Sequence, residues 1–277
     1  SAFSQEILPP SRGYALGATP FAVRFHSPAD LPNLHSGAKF EALHVWSAAW
    51  GELEELAARQ GDWVAALSVD ERQRARRFLR VRDAGRYRLG RAWLRRLLGQ
   101  YLDLRPAAIC FEYGAHGKPF LLAGGVPSTL RFNVAHSGEM MLAVLACRRE
   151  LGVDLEQIRP EVDGASLARQ FFSPWEQLEF FALPAPARQA AFFRAWTRKE
   201  AYLKALGTGL ARPLDGFDVS LAPNRPPRLL AVAWDANETN RWDFHSWSPR
   251  PGYEACVVAE KTPGRNVGGG YPSESTV

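Results

Sequence analysis

Two short segments hold the residues best suited to catalysis in this chain. The segment GVDLE contributes Asp154 and Glu156, and the segment WTRKEAYLK contributes Glu200 and Lys204. On a strand, alternate side chains share a face, so Asp154 and Glu156 project together. Oxygen ligands without a Cys or His partner suit Mg²⁺, which takes few carboxylates and also binds the phosphates of a substrate. The two segments therefore predict a magnesium site next to phosphate-binding lysines.

The second segment has the periodicity of a helix. At about 100° per residue, one stripe contains apolar side chains and a lysine, namely Phe192, Trp196, Lys199, Leu203 and Leu206. Glu200 and Lys204 border this stripe, whereas Arg194 and Arg198 are predicted to point toward water. A glutamate and two lysines turned toward the protein body cost free energy unless they have partners. Each segment alone is typical of an ordinary surface, but together they favour a site.

The two segments resemble the hallmarks of the Sfp-type 4′-phosphopantetheinyl transferases, a G-[VI]-D-[VIL]-E strand and a W-x-x-K-E-[SA]-x-x-K helix. Three further segments are similar to the family in the same order: GKPF at 117–120, FNVAHSG at 132–138 and RQFFS at 169–173. Each match alone is weak, but five ordered matches are specific. The chain departs from the family at Ala135, where a serine is frequent, and at Glu71, where relatives are basic.

This resemblance implies an α+β fold. The family fold is a pseudo-dimer of two similar halves, each a long helix packed on a small antiparallel sheet, with the active site at their junction. Trp196 and the pair Phe192–Phe193 are expected to pack the core between the halves. The chain divides into an extended lead-in (1–40), an arginine-rich, coenzyme A-binding N-terminal half (41–150), a C-terminal half with the metal-binding carboxylates (151–261) and a flexible tail (262–277).

Local patterns predict the elements that position these residues. Ser68 is expected to cap arginine-rich helices that extend to residue 96. Strands are predicted at 41–48, 110–113, 140–147, 218–221, 228–234, 242–248 and 255–260, and helices at 52–59, 165–171, 175–182 and 187–205.

The resemblance also implies the chemistry. The enzyme would transfer 4′-phosphopantetheine from coenzyme A to a serine of an apo acyl carrier protein or peptidyl carrier domain, an acidic helical bundle, and release 3′,5′-ADP. Mg²⁺ or Mn²⁺ would be held by Asp154, Glu156 and Glu200, directly or through water. Glu200 would be the base, and Lys204 would stabilise or protonate the leaving phosphate.

Contacts to coenzyme A are implied for a set of basic and polar residues: Arg74, Arg86, Lys118, His136, Ser137, Lys199 and Lys204. Arg74 and Arg86 would lie near the 3′-phosphate, whereas the other arginines would meet solvent or the carrier. The role of Lys199 stays open between phosphate binding and a buried pair that anchors its helix.

Composition limits the other function classes. The net charge of +5 in 277 residues favours anionic partners. The basic run has no helix-turn-helix, zinc-finger or RNP signature, so nucleic acid is not expected as a partner. The N-terminus lacks a secretory signal, and no window approaches the roughly 18 apolar residues of a membrane span. Three scattered cysteines suit a reducing compartment. A cytoplasmic, monomeric enzyme without a membrane partner is expected.

Two alternatives belong to other classes. A coenzyme A-dependent acyltransferase would need a His or Cys for acyl transfer and no site of three carboxylates. A non-catalytic carrier-protein- or RNA-binding module would use the basic run but give no role to Asp154, Glu156 and Glu200. The carboxylates favour the transferase. The sequence does not distinguish among fatty-acid, polyketide, peptide-synthetase and lysine-pathway carriers.

Overall fold

The computed structural model describes residues 22–28, 30, 42–123 and 125–261. The predicted tail and most of the predicted lead-in lie outside these residues. Within the lead-in, however, Val23–His26 forms strand β1 and pairs in parallel with Leu43–Ala49, strand β2. The extended lead-in therefore contributes a strand to the N-terminal sheet. None of the helices in the described residues is long and apolar enough to cross a membrane.

The N-terminal half packs a long helix against a sheet of order β1-β2-β7-β6. Apart from the β1–β2 pair, the neighbours in this sheet are antiparallel. Ser68 caps the second helix and forms a capping box with Glu71, as the sequence predicts. The remaining elements of this half are α1 (Trp50–Gln60), α2 (Val69–Ala75), α3 (Val81–Leu102), β3 (Phe111–Tyr113), β4 (Pro119–Ala123), β5 (Val126–Pro127), β6 (Leu130–Ser137) and β7 (Met140–Cys147).

The C-terminal half repeats this arrangement with a second long helix and an antiparallel sheet of order β11-β12-β8. A separate two-stranded sheet pairs β9 with β10. The elements are β8 (Leu151–Gln157), α4 (Gly164–Phe171), α5 (Pro174–Ala182), α6 (Ala185–Leu206), β9 (Phe217–Val219), β10 (Leu229–Val232), α7 (Glu238–Arg241), β11 (Trp242–Trp247) and β12 (Tyr253–Glu260).

The two sheets pack face to face, and this contact joins the halves. The shared core contains apolar side chains of β2, β7, β8 and β12. Strand β8 contributes alternate residues to it, namely Leu151, Val153 and Leu155. The other face of β8 meets α6 so closely that a Cβ at Gly152 would lie 2.1 Å from the carbonyl oxygen of Ala201. The predicted fold of two similar α+β halves is confirmed, and so is the alternation of β8.

Three packing predictions are wrong. Phe192 and Trp196 pack with Phe172 inside the C-terminal half, because α6 covers the face of its sheet that points away from the other half. Arg198 does not reach water, since only 3% of its surface is exposed and it donates to Ser220 and Ser246. Arg194 also has protein partners, including Glu254. Helix α6 thus has little free surface along this side.

Some arginines of the arginine-rich run bind other parts of the protein, which the sequence does not predict. Glu71 is buried, and its two carboxylate oxygens accept hydrogen bonds from Arg91 at 2.8 Å and from Arg95 at 2.7 Å. These two arginines therefore fasten α3 to α2 rather than meet solvent or a carrier. The ion pairs with them lower the pKa of Glu71 despite its burial.

Candidate active site at the junction of the halves

Strand β8 and helix α6 bring the predicted carboxylates together. Asp154 is buried on β8, and Glu156 and Glu200 are half-buried. Burial raises the pKa of Asp154 to about 7, and the nearby charges of Glu156 and Glu200 act in the same direction. Three carboxylates that share one region of low solvent access repel one another when ionised. Such a cluster calls for a cation.

Lys204 supplies one positive charge to this cluster. Its ammonium donates a hydrogen bond to Oδ1 of Asp154 at 2.6 Å, and the interaction lowers the pKa of Asp154 against the larger effect of burial. The second oxygen, Oδ2, is buried and has no hydrogen-bond partner among the described residues. A buried carboxylate oxygen without a donor costs free energy unless a ligand satisfies it.

Ser137 joins the cluster from the N-terminal half. Its hydroxyl donates to Oε2 of Glu156 at 2.9 Å and accepts a hydrogen bond from the backbone N–H of Gln157 at 3.0 Å. The turn after Ser137 requires Gly138, whose φ is +54° and whose missing Cβ leaves room for the Gln157 side chain. A residue of one half therefore orients a carboxylate of the other.

Glu200 is a second carboxylate of the cluster with a raised pKa. Burial raises its pKa, Lys204 opposes that shift and Glu156 adds to it. A carboxylate whose pKa moves toward neutrality is a better general base than one at its ordinary value. The catalytic role that the resemblance implies for Glu200 stays a prediction.

The donor set fits a hard divalent cation by chemistry, because all three predicted ligands are carboxylates and Oδ2 of Asp154 offers an unsatisfied oxygen. As the side chains stand, the described residues contain no group of three His, Cys, Asp or Glu side chains arranged to hold a metal ion. The metal role of Asp154, Glu156 and Glu200 stays a prediction.

Positive groups continue from Lys204 along the junction. His136 is exposed, and partial desolvation together with the charges of Lys204 and Arg86 lowers its pKa. Arg86 donates to the carbonyl oxygen of Gly138 at 2.9 Å and pairs with Glu139. Lys204 and Arg86 thus place positive charge at the edge of the carboxylate cluster, and His136 adds a neutral imidazole there that can donate a hydrogen bond; such a set is suited to an extended polyanion.

Arg74 lies on α2 and contacts Tyr87, the residue after Arg86, with its guanidinium 5.6 Å from the ring centroid. It lines a cavity of about 530 Å³ in the N-terminal half. Its place near the 3′-phosphate of coenzyme A stays a prediction.

Lys118, whose contact to phosphate stays a prediction, has three acceptors within the protein. The ammonium donates to Oε2 of Glu150 at 2.9 Å, to the carbonyl oxygen of Leu151 at 3.1 Å and to that of Ala205 at 3.0 Å. An ammonium has three protons, and all three are used. The GKPF turn approaches the end of α6, so Lys118 satisfies a carbonyl that the helix itself leaves open.

Of the two roles left open for Lys199, the structure shows the buried pair. Its side chain has 0% exposure, and the ammonium bonds Oε1 of Glu176 and the carbonyl oxygen of Phe217. Lys199 therefore cannot contact coenzyme A in this arrangement. Glu176 also accepts the backbone N–H groups of Ser173 and Val219. Glu176 follows the RQFFS segment as the acidic residue expected from the family resemblance, and the capping-box pattern S-x-x-E at 173–176 also marks it, but the sequence does not reveal its pair with Lys199.

Comparison with known proteins identifies the family. A family model described as the 4′-phosphopantetheinyl transferase superfamily matches residues 150–258, and one described as 4′-phosphopantetheinyl transferase, N-terminal, matches residues 57–149. The 4′-phosphopantetheinyl transferase HetI of a Nostoc species is 39% identical over 199 residues, which are 72% of this chain and 82% of that protein.

Two further comparisons are with a Synechocystis protein and with a solved structure. A putative 4′-phosphopantetheinyl transferase of a Synechocystis species is 36% identical over 182 residues, with 66% of this chain and 72% of that protein covered. The solved holo-[acyl-carrier-protein] synthase of Thermotoga maritima is 22% identical, with a TM-score of 0.35 and coverage of 41% of this chain and 64% of that chain. The two family models and the identity with HetI show that the chain belongs to the 4′-phosphopantetheinyl transferase superfamily and is a transferase.

Proposed function

We propose that this protein transfers 4′-phosphopantetheine from coenzyme A to a serine of an apo carrier protein. One observation carries the proposal: at the junction of the halves, the buried carboxylate of Asp154 meets the ammonium of Lys204 at 2.6 Å, beside Glu156 and Glu200. A site that combines carboxylates with the positive charges of Lys204 and Arg86 suits a pyrophosphate accompanied by a divalent cation.

Different residues bind different parts of coenzyme A and the metal ion. His136 and Arg86 bind phosphate oxygens from the N-terminal half, Arg74 contributes charge near the 3′-phosphate, and Ser137 contributes through the orientation of Glu156. Asp154, Glu156 and Glu200 would hold Mg²⁺ or Mn²⁺, which when bound neutralises and orients the pyrophosphate. Lys118 and Lys199 take no part in binding, since both ammonium groups are satisfied within the protein.

Two residues act on the reacting atoms. Glu200 accepts the proton of the carrier serine, whose oxygen attacks the phosphorus that bears pantetheine. The bond between that phosphorus and the bridging oxygen breaks, and 3′,5′-ADP leaves with its negative charge. Lys204 moves from Asp154 to the leaving phosphate and stabilises the developing charge. The long, flexible side chain of Lys204, about a third exposed, permits this exchange.

The test is transfer itself. The purified chain is incubated with coenzyme A, Mg²⁺ and apo carriers of the fatty-acid, polyketide, peptide-synthetase and lysine-pathway classes, and each carrier is weighed by mass spectrometry. We expect at least one carrier to gain a phosphopantetheinyl group, and no gain on a carrier whose serine is replaced by alanine. EDTA should abolish transfer. Failure with every carrier class would refute the proposal, and full activity in excess EDTA would refute its metal component.

A further inference from the structure

Trp50 is hydrogen-bonded to the turn between β6 and β7. It is the first residue of α1 and is 5% exposed. Its backbone N–H donates to the carbonyl oxygen of Glu139 at 3.1 Å, and its indole N–H donates to that of Gly138 at 3.3 Å. One buried residue thus holds the turn that follows Ser137, whose hydroxyl bonds Glu156 of the carboxylate cluster.

The indole ring of Trp50 also contacts two residues that are proposed to bind phosphate. The guanidinium of Arg86 lies 5.4 Å from the ring centroid and donates to the carbonyl oxygen of Gly138 at 2.9 Å. The ring of His136 packs edge to face with the indole, and the two centroids are 6.2 Å apart. Contacts of these kinds orient a cation and an aromatic ring. Arg86 and His136 therefore share one buried support.

The position of the indole is fixed by close packing. A Cβ at Gly90 of α3 would lie 3.3 Å from two atoms of the six-membered ring of Trp50 and 3.0 Å from the sulfur of Met141 on β7. Gly90 therefore leaves the space that the indole fills. A side chain without an aromatic ring would remove the support of Arg86 and His136 even if it filled most of this space.

The support matters because Arg86 has to change its partner when a ligand binds. In the structure its guanidinium pairs with Glu139, an exposed carboxylate that a phosphate of coenzyme A would replace. Trp50 and the carbonyl oxygen of Gly138 contact Arg86 independently of Glu139, so they keep the guanidinium in place when that pair opens. A group that is already held in its binding geometry loses less conformational entropy on binding, and this strengthens affinity.

We propose that Trp50 is a positioning residue for coenzyme A, which holds Arg86 and His136 toward the phosphates and acts only through them. The inference rests on the proposed function. Trp50 lies outside the segments that resemble the family, so the resemblance does not mark it. Its aromatic ring, more than its volume, determines the affinity for coenzyme A. The 3′-phosphate, which is predicted to lie near Arg86, is the part of the ligand that depends on Trp50 most.

Calorimetric binding of coenzyme A and of 3′-dephospho-coenzyme A to the full chain with Mg²⁺ tests the inference. Trp50→Met keeps most of the apolar volume without the ring, and it should raise the Kd for coenzyme A about tenfold, as expected for one lost cation–π contact. The Kd for 3′-dephospho-coenzyme A should rise by less than about threefold, because that ligand lacks the phosphate near Arg86. Trp50→Phe keeps a ring and should restore the Kd for coenzyme A to within about threefold of the wild-type value.

The matched control is Trp63, which belongs to the same hydrophobic core. It is 2% exposed, and the guanidinium of Arg96 lies 4.8 Å from its ring centroid. In the part of the chain that the structure describes, no cation–π or ring contact joins Trp63 to Arg86 or His136. Trp63→Met should therefore lose stability in urea unfolding, as Trp50→Met does, but keep the Kd for both ligands within about twofold.

A double-variant cycle shows whether the effect acts through Arg86. In the Arg86→Ala background, Trp50→Met should raise the Kd for coenzyme A by at most about threefold, because the supported guanidinium is gone. If Trp50→Met does not fold, Trp50→Leu takes its place in these measurements.

Three outcomes would contradict the inference. If the Trp50 variant keeps the wild-type Kd for coenzyme A, Trp50 has no positioning role. If it weakens both ligands equally and costs as much affinity without Arg86 as with it, Trp50 only packs the core. If the wild-type protein binds no coenzyme A, the proposed function fails and the inference fails with it.

Discussion

Lys204 donates a hydrogen bond to Oδ1 of Asp154 at 2.6 Å, which links the end of α6 to the middle of β8. The pair brings together a predicted phosphate-binding lysine and a predicted metal ligand. The ammonium of Lys204 occupies the place next to Asp154 that a metal cation is predicted to take. The carboxylate of Asp154 likewise occupies the place next to Lys204 that a phosphate is predicted to take. If the proposed function is correct, binding of coenzyme A and the metal ion exchanges both partners, with Lys204 passing to a phosphate and Asp154 to the cation.

The first prediction concerns Glu200. Replacement by glutamine keeps the shape and removes both the negative charge and the proton acceptor, so we expect kcat to fall by about 10² to 10⁴. The calorimetric Kd for coenzyme A should change far less, and raising the pH should not restore the rate. Single-turnover transfer beside calorimetry measures both quantities, and Glu112→Gln on the exposed strand β3 is the control. Wild-type rates in Glu200→Gln would exclude the residue from catalysis.

The second prediction separates Lys118 from His136. Lys118→Met removes three hydrogen bonds, two of them to carbonyl oxygens of the other half, and leaves Glu150 with only Arg131 as an ion-pair partner among the described residues, so the free energy of unfolding should fall by about 1 to 3 kcal/mol. The Kd of the folded protein for coenzyme A should stay the same. His136→Ala should behave in the opposite way, with weaker coenzyme A binding and ordinary stability.

Urea unfolding and calorimetry on both variants measure this contrast. If Lys118→Met lost affinity for coenzyme A without losing stability, Lys118 would be a phosphate-binding residue and not a structural one.

The third prediction concerns the buried pair of Lys199 and Glu176. Lys199→Met leaves the carboxylate of Glu176 without its cation in the core and should cost about 3 to 5 kcal/mol. The double variant Lys199→Met/Glu176→Gln should recover part of this loss, although one amide oxygen cannot replace both carboxylate oxygens for Ser173 and Val219. Chemical unfolding of the wild type, both single variants and the double variant measures these changes in the free energy of unfolding. Coenzyme A affinity in the double variant should equal that of the wild type, and weaker binding would show that Lys199 also contacts the cofactor.

The sequence predicts those features of the site that follow from periodicity. The alternation of β8 places Asp154 opposite Leu155 because a strand has only two faces. The position of Glu200 and Lys204 on one side of α6 follows in the same way from the helical repeat. The two similar halves, in contrast, are implied by the resemblance to the family and not by these local patterns.

The hydrogen-bond partners of these side chains could not be predicted, because they are distant along the chain. A helical repeat fixes the direction of Arg198 around α6 but not the presence of Ser220 and Ser246 on that side. Two of the acceptors of Lys118 are backbone carbonyls, which any residue type provides and which therefore have no signature. From the sequence, Glu71 has the position of an ordinary capping-box residue. Its ion pairs with Arg91 and Arg95 are visible only in the structure.

The last prediction concerns acid stability and His44. This side chain is buried on β2, with Nδ1 2.6 Å from the hydroxyl oxygen of Tyr101, and burial lowers its pKa from 6.5 to about 4. As the pH falls below 6.5, the unfolded chain takes up a proton at His44 before the folded chain does. The folded state therefore loses stability between pH 6.5 and about pH 4, by about 2 to 3 kcal/mol in total.

His44→Gln keeps a polar partner for Tyr101 and cannot titrate, so its free energy of unfolding should fall less than that of the wild type over the same pH interval. Asp154 acts in the opposite direction, because its raised pKa of about 7 makes the folded state lose stability as the pH rises from 3.8 toward 7. That contribution is common to both proteins and cancels in their difference. Urea unfolding of wild type and His44→Gln at several pH values across this interval measures the difference, and parallel pH profiles would show that His44 keeps its ordinary pKa in the folded protein.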